Sequence, residues 1–259
     1  MTLLISIVSH NHGNLVYNLL KDLQSFCSVV DLEVLLTLNL PGKLPFLKTD
    51  FEFKLEILQN EHPRGFATNH NRAFKRKPSD FFAVLNPDLR LIQDPFLPLI
   101  SLAAGEKKGA VAPLIINADK LIEDSARRLP TPARLLKRYF WKPKHDRLDY
   151  PIEDRVISPD WIAGIFMLFR SSVFSEMNGF DERYFLYFED VDLCSRLRLA
   201  GYQIILDPRI SVVHNARRDS HRNFQYLRWH ILSGMRFFSS RVFWNSWLFQ
   251  FKKKIRKTL

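Results

Sequence analysis

Residues 3–23 read LLISIVSHNHGNLVYNLLKDL, and this stretch contains one complete unit of the fold. Its first six residues are apolar except for Ser6 and rich in branched side chains, which is typical of a buried strand. A polar turn follows at 9–14, and the leucines after it recur at helical spacing. The chain therefore opens with a strand, a loop and a helix.

The same alternation continues downstream. Further strands are predicted over 32–38, 53–58, 81–85, 111–116, 161–170 and 204–206, the last of which leads through Pro208 to 212–214. Further helices are predicted over 67–75, 171–177 and 190–200. Alternating strands and helices indicate a mostly parallel sheet with helices on both faces, in which ligands bind at the carboxyl ends of the strands. The predicted fold class is α/β with one Rossmann-like sheet. Residues 123–158 are basic, rich in proline and without a clear period, so we expect an irregular excursion over the surface.

The charge of the chain is concentrated at one end. The formal net charge is +11, yet residues 216–259 contain eleven Lys or Arg and one acid, whereas residues 1–215 are almost neutral. A neutral body argues against a nucleic acid as partner. The longest apolar run, 161–169, is about half of the roughly 20 residues that cross a bilayer. The sequence therefore predicts no membrane-spanning segment. The two cysteines lie far apart and support no disulfide framework, so we expect a cytoplasmic protein.

The basic end has an interfacial composition. Apolar residues recur at three- and four-residue steps from Phe224 to Val242, and aromatic residues dominate from Phe243 to Phe251. A helix of this kind can lie on an anionic membrane, and the lysines at 252–254 would strengthen its attraction to lipid headgroups. A helix packed on the body and an aromatic arm that binds single-stranded nucleic acid are the alternatives. We expect the tail to bind the membrane, which makes the protein peripheral on the inner face of the cell membrane.

Three carboxylates, Glu189, Asp190 and Asp192, follow a run of aromatic residues at the start of a predicted helix. Acids in the first turn of a helix complement its dipole by about 0.3–1 kcal/mol each. An Asp between aromatic rings can also have its pKa raised while a neighbouring carboxylate stays ionised, which suits a general base. The residues alone leave both interpretations open.

A second polar turn, Asn86-Pro87-Asp88, follows the predicted strand at 81–85. Pro87 ends the strand, and Asp88 then lies at the carboxyl edge of the sheet. A carboxylate there suits Mg²⁺ or Mn²⁺ bound to a diphosphate. His214, at the end of the last predicted strand, could add an imidazole ligand. An ordinary turn and a structural histidine are the alternatives.

Taken together, these motifs resemble a known family. They are Ser9-His10-Asn11, RGFATNHN at 64–71, Asn86-Pro87-Asp88, WIAG at 161–164 with Arg170, and GFDERYFLYFEDVD at 179–192. Over residues 3–215 the chain resembles the inverting, metal-dependent family 2 glycosyltransferases, which have the GT-A fold. It is similar in particular to the bacterial rhamnosyltransferase branch. That branch includes O-antigen enzymes that move rhamnose from dTDP-rhamnose to a polyprenyl-diphosphate-linked sugar.

The resemblance implies a role for each motif. Asp190 would be the catalytic base with Glu189 beside it, and Asp88 and His214 would bind Mg²⁺ or Mn²⁺. The residues expected to contact the substrates are Ser9, Asn11, Asn39, Gly65, Phe66, Asn71, Asn86, Trp161, Gly164 and Asp192. The implied GT-A domain, 1–215, has a donor-binding half, 1–105, and an acceptor and catalytic half, 106–215. A basic, membrane-associating tail of helices, 216–259, would follow it.

Two positions depart from the family pattern. An Asp-Asn pair is usual after the second strand, where this chain has Thr37-Leu38-Asn39, so Asn39 alone would contact the nucleotide. This departure leaves a galactofuranosyl or hexosyl donor open. Asn86 stands where the first metal-binding Asp is found in the wider family, which leaves Asp88 as the strong carboxylate.

Overall fold

The structure is a computed structural model that describes residues 1–140, 149–215 and 224–258, with side chains except at 137–140 and 253–258. The strands are β1 (Thr2–Ser9), β2 (Asp31–Leu38), β3 (Lys54–Gln59), β4 (Phe81–Leu85), β5 (Leu89–Leu91), β6 (Lys108–Ile116), β7 (Ala126–Arg127), β8 (Trp161–Ile162), β9 (Phe166–Arg170) and β10 (Gln203–His214). The helices are α1 (Gly13–Phe26), α2 (Phe66–Arg76), α3 (Phe96–Ala103), α4 (Pro132–Phe140), α5 (Ser171–Glu176), α6 (Glu189–Leu199), α7 (Phe224–Ser239) and α8 (Arg241–Thr258).

One sheet has the strand order β3-β2-β1-β4-β9-β6-β10-β5, and β7 pairs separately with β8. The neighbours β3, β2, β1 and β4 are parallel, as are β6 and β10. Strands β9 and β5 are antiparallel to their neighbours. The mostly parallel α/β sheet predicted from the sequence is therefore confirmed. Successive strands are added on opposite sides of β1, and a crevice forms beyond the strand ends at such a reversal.

Both faces of the sheet are buried because successive residues of a strand point to opposite faces. Leu3, Ile5 and Ile7 belong to a core that includes α1 and α3, whereas Leu4 belongs to a second core with α2, α5 and α6. This second core also contains Phe237 of α7 and Phe243 of α8. The described part of the tail therefore packs on the sheet and its helices through one face. Residues 216–223 lie outside the described residues.

The prediction of an irregular excursion over 123–158 is wrong in part, because this stretch contains β7 and α4. Its prolines start a helix instead of preventing one. Pro132 is the first residue of α4, a position where the missing N–H has no helical partner in any case. Thr131 caps the helix, since its Oγ1 accepts a hydrogen bond from the Arg134 N–H at 3.2 Å. Residues 141–148 of the stretch lie outside the described residues.

The single strand predicted over 161–170 is also wrong, because the chain forms two strands there. β8 pairs with β7, and β9 enters the main sheet beside β4. A turn at 163–165 separates them, and the Gly164 N–H leaves strand pairing to donate to Asp190 at 3.0 Å. Strand β5 and helix α3 had no clear sequence signal. Pro98 lies in the first turn of α3, which tolerates proline.

Candidate functional site

A cavity of about 1140 Å³ lies at the carboxyl edge of the sheet. Asn86, directly after β4, and the turn before β9 both line it, which fixes its position at the strand ends. Of the predicted site residues, the cavity brings together Phe66, Asn86, Trp161, Gly164, Glu189 and Asp190. The other predicted residues lie outside its lining and are described in turn below.

The acidic pair is held by an unusual backbone. Tyr187 and Phe188 both have positive φ angles, 71° and 67°, immediately before Glu189 starts α6. Each such residue costs about 1–3 kcal/mol and persists only where the surroundings enforce it. Here Phe188 is buried, and its ring lies 5.5 Å from the Phe237 ring and 5.4 Å from the His230 ring, both on α7. Helix α7 therefore stabilises the turn that presents the two carboxylates.

Asp190 and Glu189 have different hydrogen-bond partners. Asp190 is half-buried, and its two oxygens accept hydrogen bonds from the Gly164 N–H at 3.0 Å and the Val191 N–H at 2.8 Å. Glu189 is 4% exposed, and its Oε2 has no hydrogen-bond partner among the described residues. An ionised carboxylate needs such donors when it is buried, so only Asp190 is prepared to carry a charge.

The pKa values follow from these contacts. Burial raises the pKa of Asp190, and the hydrogen bonds from Gly164 and Val191 oppose that rise. Burial also raises the pKa of Glu189 well above its ordinary value, and the nearby charge of Asp190 raises it further. Two adjacent carboxyl groups cannot both ionise easily. The arrangement therefore favours a protonated Glu189 beside an ionised Asp190.

Asp88 and His214 are brought together at the adjoining strand ends. The His214 Nε2 lies 3.3 Å from Asp88 Oδ2, and the His214 Nδ1 lies 2.6 Å from Glu123 Oε2. Burial alone would lower the pKa of His214, but the hydrogen bonds to Asp88 and Glu123 raise it to about 9. Asp88 Oδ1 is buried and has no hydrogen-bond partner among the described residues.

The donor set at Asp88 fits a divalent ion only in part. The residues that the structure describes include no group of three or more His, Cys, Asp or Glu side chains suited to a metal. Asp88 nevertheless has an unpartnered oxygen beside an imidazole. Mg²⁺ commonly takes one or two protein ligands and completes its shell with substrate phosphates and water. Asp88 and His214 therefore suit an ion that arrives with a diphosphate.

The predicted residues of α2 support the acidic loop. The Phe66 N–H donates to the Phe185 carbonyl at 2.9 Å, and a Cβ on Gly65 would lie 2.6 Å from that same oxygen. Glycine is therefore required at 65 for the two backbones to meet. Asn71 is buried, and its side chain bonds both the N–H and the C=O of Phe180. Gly65 and Asn71 thus hold the segment that leads to Asp190.

Asn39 is fully buried where β2 ends. Its amide nitrogen contacts His10 Nε2 at 2.7 Å and the Arg64 carbonyl at 2.8 Å. Its oxygen accepts hydrogen bonds from Asn60 and from the Arg64 N–H. In this conformation no polar atom of the Asn39 side chain remains for a ligand. Its contacts connect the ends of β2 and β3 to the loop before α2.

Ser9 and Asn11 lie at the end of β1. Ser9 is buried, and its Oγ accepts a hydrogen bond from the His12 N–H at 3.0 Å, which stabilises the turn. Asn11 is exposed, with a φ of 63°, and its side chain packs against Gly42. Asn11 is therefore accessible to a ligand, whereas Ser9 shapes the loop.

Asp192 and Trp161 face different surroundings. Asp192 is buried and forms an ion pair with Arg196 at 2.7 Å, and unlike Asp190 it does not line the cavity. Burial raises its pKa, and Arg196 opposes that rise. Trp161 lines the cavity, where its Nε1–H donates to the Arg128 carbonyl at 3.1 Å and the Arg127 guanidinium lies 5.3 Å from its ring.

Several cavity residues were missed by the sequence analysis. The most prominent are Arg127, Arg128, Arg134, Tyr226 and His230. The arginines belong to the basic stretch that we expected to cross the surface, and the last two belong to α7. The threonine-proline pair at 131–132, a helix start signal, could have indicated that this stretch is ordered.

No helix in the described ranges is long and apolar enough to cross a membrane. No protein-family model matches the chain. The rhamnosyltransferase WbbL of Escherichia coli (strain K12) is 33% identical over 190 residues, which are 68% of this chain and 71% of WbbL. The N-acetylglucosaminyl-diphospho-decaprenol L-rhamnosyltransferase of Mycobacterium tuberculosis is 33% identical over 156 residues, 56% of this chain and 50% of that protein.

A solved structure shows the same fold. The crystal structure of GalNAc-T7 with UDP, GalNAc and Mn²⁺ superposes with a TM-score of 0.64 at 14% identity. The match covers 84% of this chain and 44% of that one. The chain therefore has the GT-A fold.

Proposed function

The chain belongs to the family 2 glycosyltransferases with the GT-A fold, and we propose that it transfers L-rhamnose from dTDP-rhamnose to a polyprenyl-diphosphate-linked saccharide with inversion. One observation carries the chemical part of this proposal. The Asp190 carboxylate lines the cavity and is fixed by two backbone N–H groups that favour its charged form. The two rhamnosyltransferase relatives support the choice of sugar.

The proposed reaction needs a base on the acceptor side. An acceptor hydroxyl that attacks the anomeric carbon must lose a proton, and a positioned carboxylate that takes it contributes typically 10²–10⁴-fold to the rate. Asp190 is suited to this step because two backbone N–H groups favour its ionised form and because it lines the cavity. Attack on the face opposite the leaving diphosphate would convert a β-linked donor into an α-rhamnoside.

The proposed donor side is the cluster at Asp88. Mg²⁺ or Mn²⁺ bound by Asp88 and His214 would neutralise charge on the leaving diphosphate. The Glu123 carboxylate orients the imidazole, because its hydrogen bond to Nδ1 leaves Nε2 directed at Asp88. Asn11 is an exposed contact at the nucleotide end.

The acceptor lipid would bring the protein to an anionic membrane surface. Four residues of the apolar stripe on α7 are more than half exposed, and they are Phe224, Leu227, Ile231 and Met235. Further exposed rings occur on α8 at Trp244, Trp247 and Phe251. A soluble body rarely leaves such a set of large apolar side chains uncovered unless it contacts another surface. The side chains of Lys253 and Lys254 lie outside the described residues.

A panel of sugar nucleotides tests the proposed function. Purified protein is incubated with a short-chain N-acetylglucosaminyl-diphosphate lipid and, in separate reactions, dTDP-rhamnose, UDP-galactofuranose, UDP-glucose or GDP-mannose. We expect a product with dTDP-rhamnose, and an α-linkage by NMR. Transfer from a hexosyl or galactofuranosyl donor instead would reject rhamnose and leave glycosyl transfer in place. A β-linked rhamnoside would reject inversion.

A further inference from the structure

Three arginines form a basic side of the cavity. They are Arg127 in β7, Arg128 directly after it, and Arg134 in α4. All three come from the stretch between β6 and β8, which is separate in sequence from the acidic loop. The two segments meet because β7 pairs with β8, two residues before Gly164.

Arg127 already has partners within the protein. Its Nε forms an ion pair with Asp124 Oδ1 at 2.5 Å, and its guanidinium lies 5.3 Å from the Trp161 ring. Its charge also opposes the rise in the pKa of Asp190. We therefore assign Arg127 to the support of Trp161 and Asp190.

Among the described residues, Arg128 and Arg134 have no such neutralising partner. Both are exposed, and neither forms an ion pair with a carboxylate among the described residues. The Arg128 guanidinium lies 5.8 Å from the Tyr150 ring, and Arg134 Nη1 donates to the Leu129 carbonyl at 2.7 Å. The nearby Asp149 accepts the Arg128 backbone N–H. Two oriented guanidinium groups thus face solvent at the cavity with donors to spare.

We propose that Arg128 and Arg134 bind the diphosphate group of the lipid-linked acceptor. This inference rests on the proposed function and names the residues that select its acceptor. Guanidinium groups bind phosphate oxygens through paired, charge-assisted hydrogen bonds, which makes arginine suited to this role. The donor diphosphate belongs to Asp88 and His214, which lie outside the lining of the cavity.

The apolar residues of the cavity suit the chain attached to that diphosphate. Pro130 and Leu135 line the cavity on the arginine side, and Leu227 lines it from α7. Leu227 is 55% exposed and also belongs to the apolar stripe of α7. A lipid held at Arg128 and Arg134 could therefore continue along an apolar path to the surface stripe.

Two probes that differ only at the linkage test this assignment. One is N-acetylglucosaminyl diphosphate on a short alkyl chain, and the other is the N-acetylglucosaminyl glycoside of the same alkyl chain, without phosphate. We expect calorimetry to show that the wild-type protein binds the diphosphate probe at least tenfold more tightly. In Arg128→Gln and Arg134→Gln this preference should fall to about threefold or less, with Arg→Lys variants intermediate.

Arg228→Gln is the matched control. Arg228 is an exposed arginine of α7, next to Leu227 but outside the cavity lining, so it tests the loss of one positive charge alone. It should keep the wild-type preference, and all variants should keep the wild-type thermal midpoint and dTDP affinity. Neither substituted residue has a charged partner in the described structure, so folding should be unaffected.

Several outcomes would overturn the assignment. The first two are equal wild-type affinity for the two probes and an unchanged diphosphate preference in both Gln variants. The third is an equal loss of that preference in Arg228→Gln. The fourth is a loss of dTDP affinity in the Gln variants, which would assign the arginines to the donor. Binding is measured without turnover, so it separates this inference from the proposed function. A diphosphate preference without rhamnosyl transfer would reject the function and leave the binding site.

Discussion

Asp190 and Glu189 are neighbours in the chain, yet only Asp190 receives hydrogen bonds from two other residues. Asp190→Asn keeps the shape of the side chain and removes its ability to take a proton. We expect kcat to fall by about 100-fold or more, while calorimetry finds donor affinity within about twofold of wild type. Glu189→Gln is the matched control and should keep most of the activity. Turnover of Asp190→Asn within tenfold of wild type would exclude Asp190 as the base.

The buried Glu189 should make stability depend on pH. Burial and the charge of Asp190 raise its pKa in the folded protein well above the unfolded value of about 4.3. A raised folded pKa stabilises the protein below the unfolded pKa, and this contribution is lost as the pH rises through the folded pKa. As the pH rises above the unfolded pKa of about 4.3, the free energy of unfolding measured in urea should therefore fall less for Glu189→Gln than for wild type.

The control for this titration is Glu61→Gln, because Glu61 is exposed. Its unfolding free energy should follow the wild-type pH dependence. Identical curves for wild type and Glu189→Gln would mean that Glu189 titrates normally, and the assignment of a protonated Glu189 would then fail.

Loss of the Asp88 carboxylate should weaken donor binding more than loss of the Asp190 carboxylate does. Removing a group that merely orients a metal ligand typically costs 10–100-fold in affinity, so losing a direct ligand should cost at least tenfold. We expect Asp88→Ala to weaken dTDP binding in Mn²⁺ or Mg²⁺ by that amount, and EDTA to weaken wild-type binding similarly. Asp31→Ala is the control, because Asp31 is exposed and lies at the amino end of β2, at the other edge of the sheet from Asp88. Calorimetry with equal affinity in all these cases would reject a metal at Asp88.

At the scale of elements, the contact between α2 and the acidic loop decides the geometry of the site. A Cβ on Gly65 would lie 2.6 Å from the Phe185 carbonyl oxygen and 2.8 Å from its Cα, so one backbone must move. Because that loop positions Asp190, we expect Gly65→Ala to lower kcat by about tenfold or more, since small misplacements at a reacting centre can cost 10²-fold. Steady-state kinetics checks this.

Gly105→Ala provides the comparison for this element. Its added Cβ would approach the Leu102 carbonyl oxygen no closer than 3.2 Å, and Gly105 does not line the cavity. It should keep the wild-type kcat. If Gly65→Ala behaved in the same way, the contact would tolerate a methyl group and could not be what positions the loop.

How far the sequence predicts the structure differs between elements. Strands β1 and β4 were predictable because each is a short, mostly apolar run that ends in a polar turn, and burial on both faces of a parallel sheet requires such runs. Helix α4 was missed although its sequence carries a signal, since Thr131-Pro132 marks a helix start and the residues after it have a clear helical period. Pairing of β7 with β8 is a long-range contact that no local pattern encodes.

The same distinction applies within the site. Asp190, Gly164 and Trp161 were predicted to act together, and they line one cavity. Asn39 and Asn71 were predicted to contact substrate, yet the structure shows both buried and fully hydrogen-bonded. A motif records that a residue is needed, but not whether it contacts the ligand or supports a loop. Only the burial and the hydrogen-bond partners separate those two cases.

At the scale of the whole molecule, the tail has both a buried and an exposed face. Phe237 is fully buried and Phe243 is 4% exposed, so deleting 243–259 would open the second core. The exposed face can be changed without this damage. Trp244, Trp247 and Phe251 form a row on α8, with ring centroids 6.1 Å and 5.9 Å apart, and they are 53%, 40% and 54% exposed.

Replacing Trp244, Trp247 and Phe251 together by Ser should release the protein from vesicles that contain anionic lipid, because the rings can no longer insert at the headgroup boundary. Co-sedimentation measures this. Activity should fall on a long polyprenyl acceptor in vesicles and stay near wild type on a short soluble one. Salt should release the wild-type protein only partly, since it screens charges and leaves aromatic burial in place.

The control replaces exposed apolar residues that lie elsewhere, namely Leu47, Ile92 and Leu97, which are 70%, 52% and 43% exposed. These three residues lie outside α8, so their replacement by Ser should leave co-sedimentation with vesicles unchanged. Release by both triple variants would mean that surface hydrophobicity alone, and not the α8 row, drives association. Sedimentation of the α8 variant at the wild-type level would assign these rings to another partner, and loss of activity on both acceptors would favour a structural role for α8.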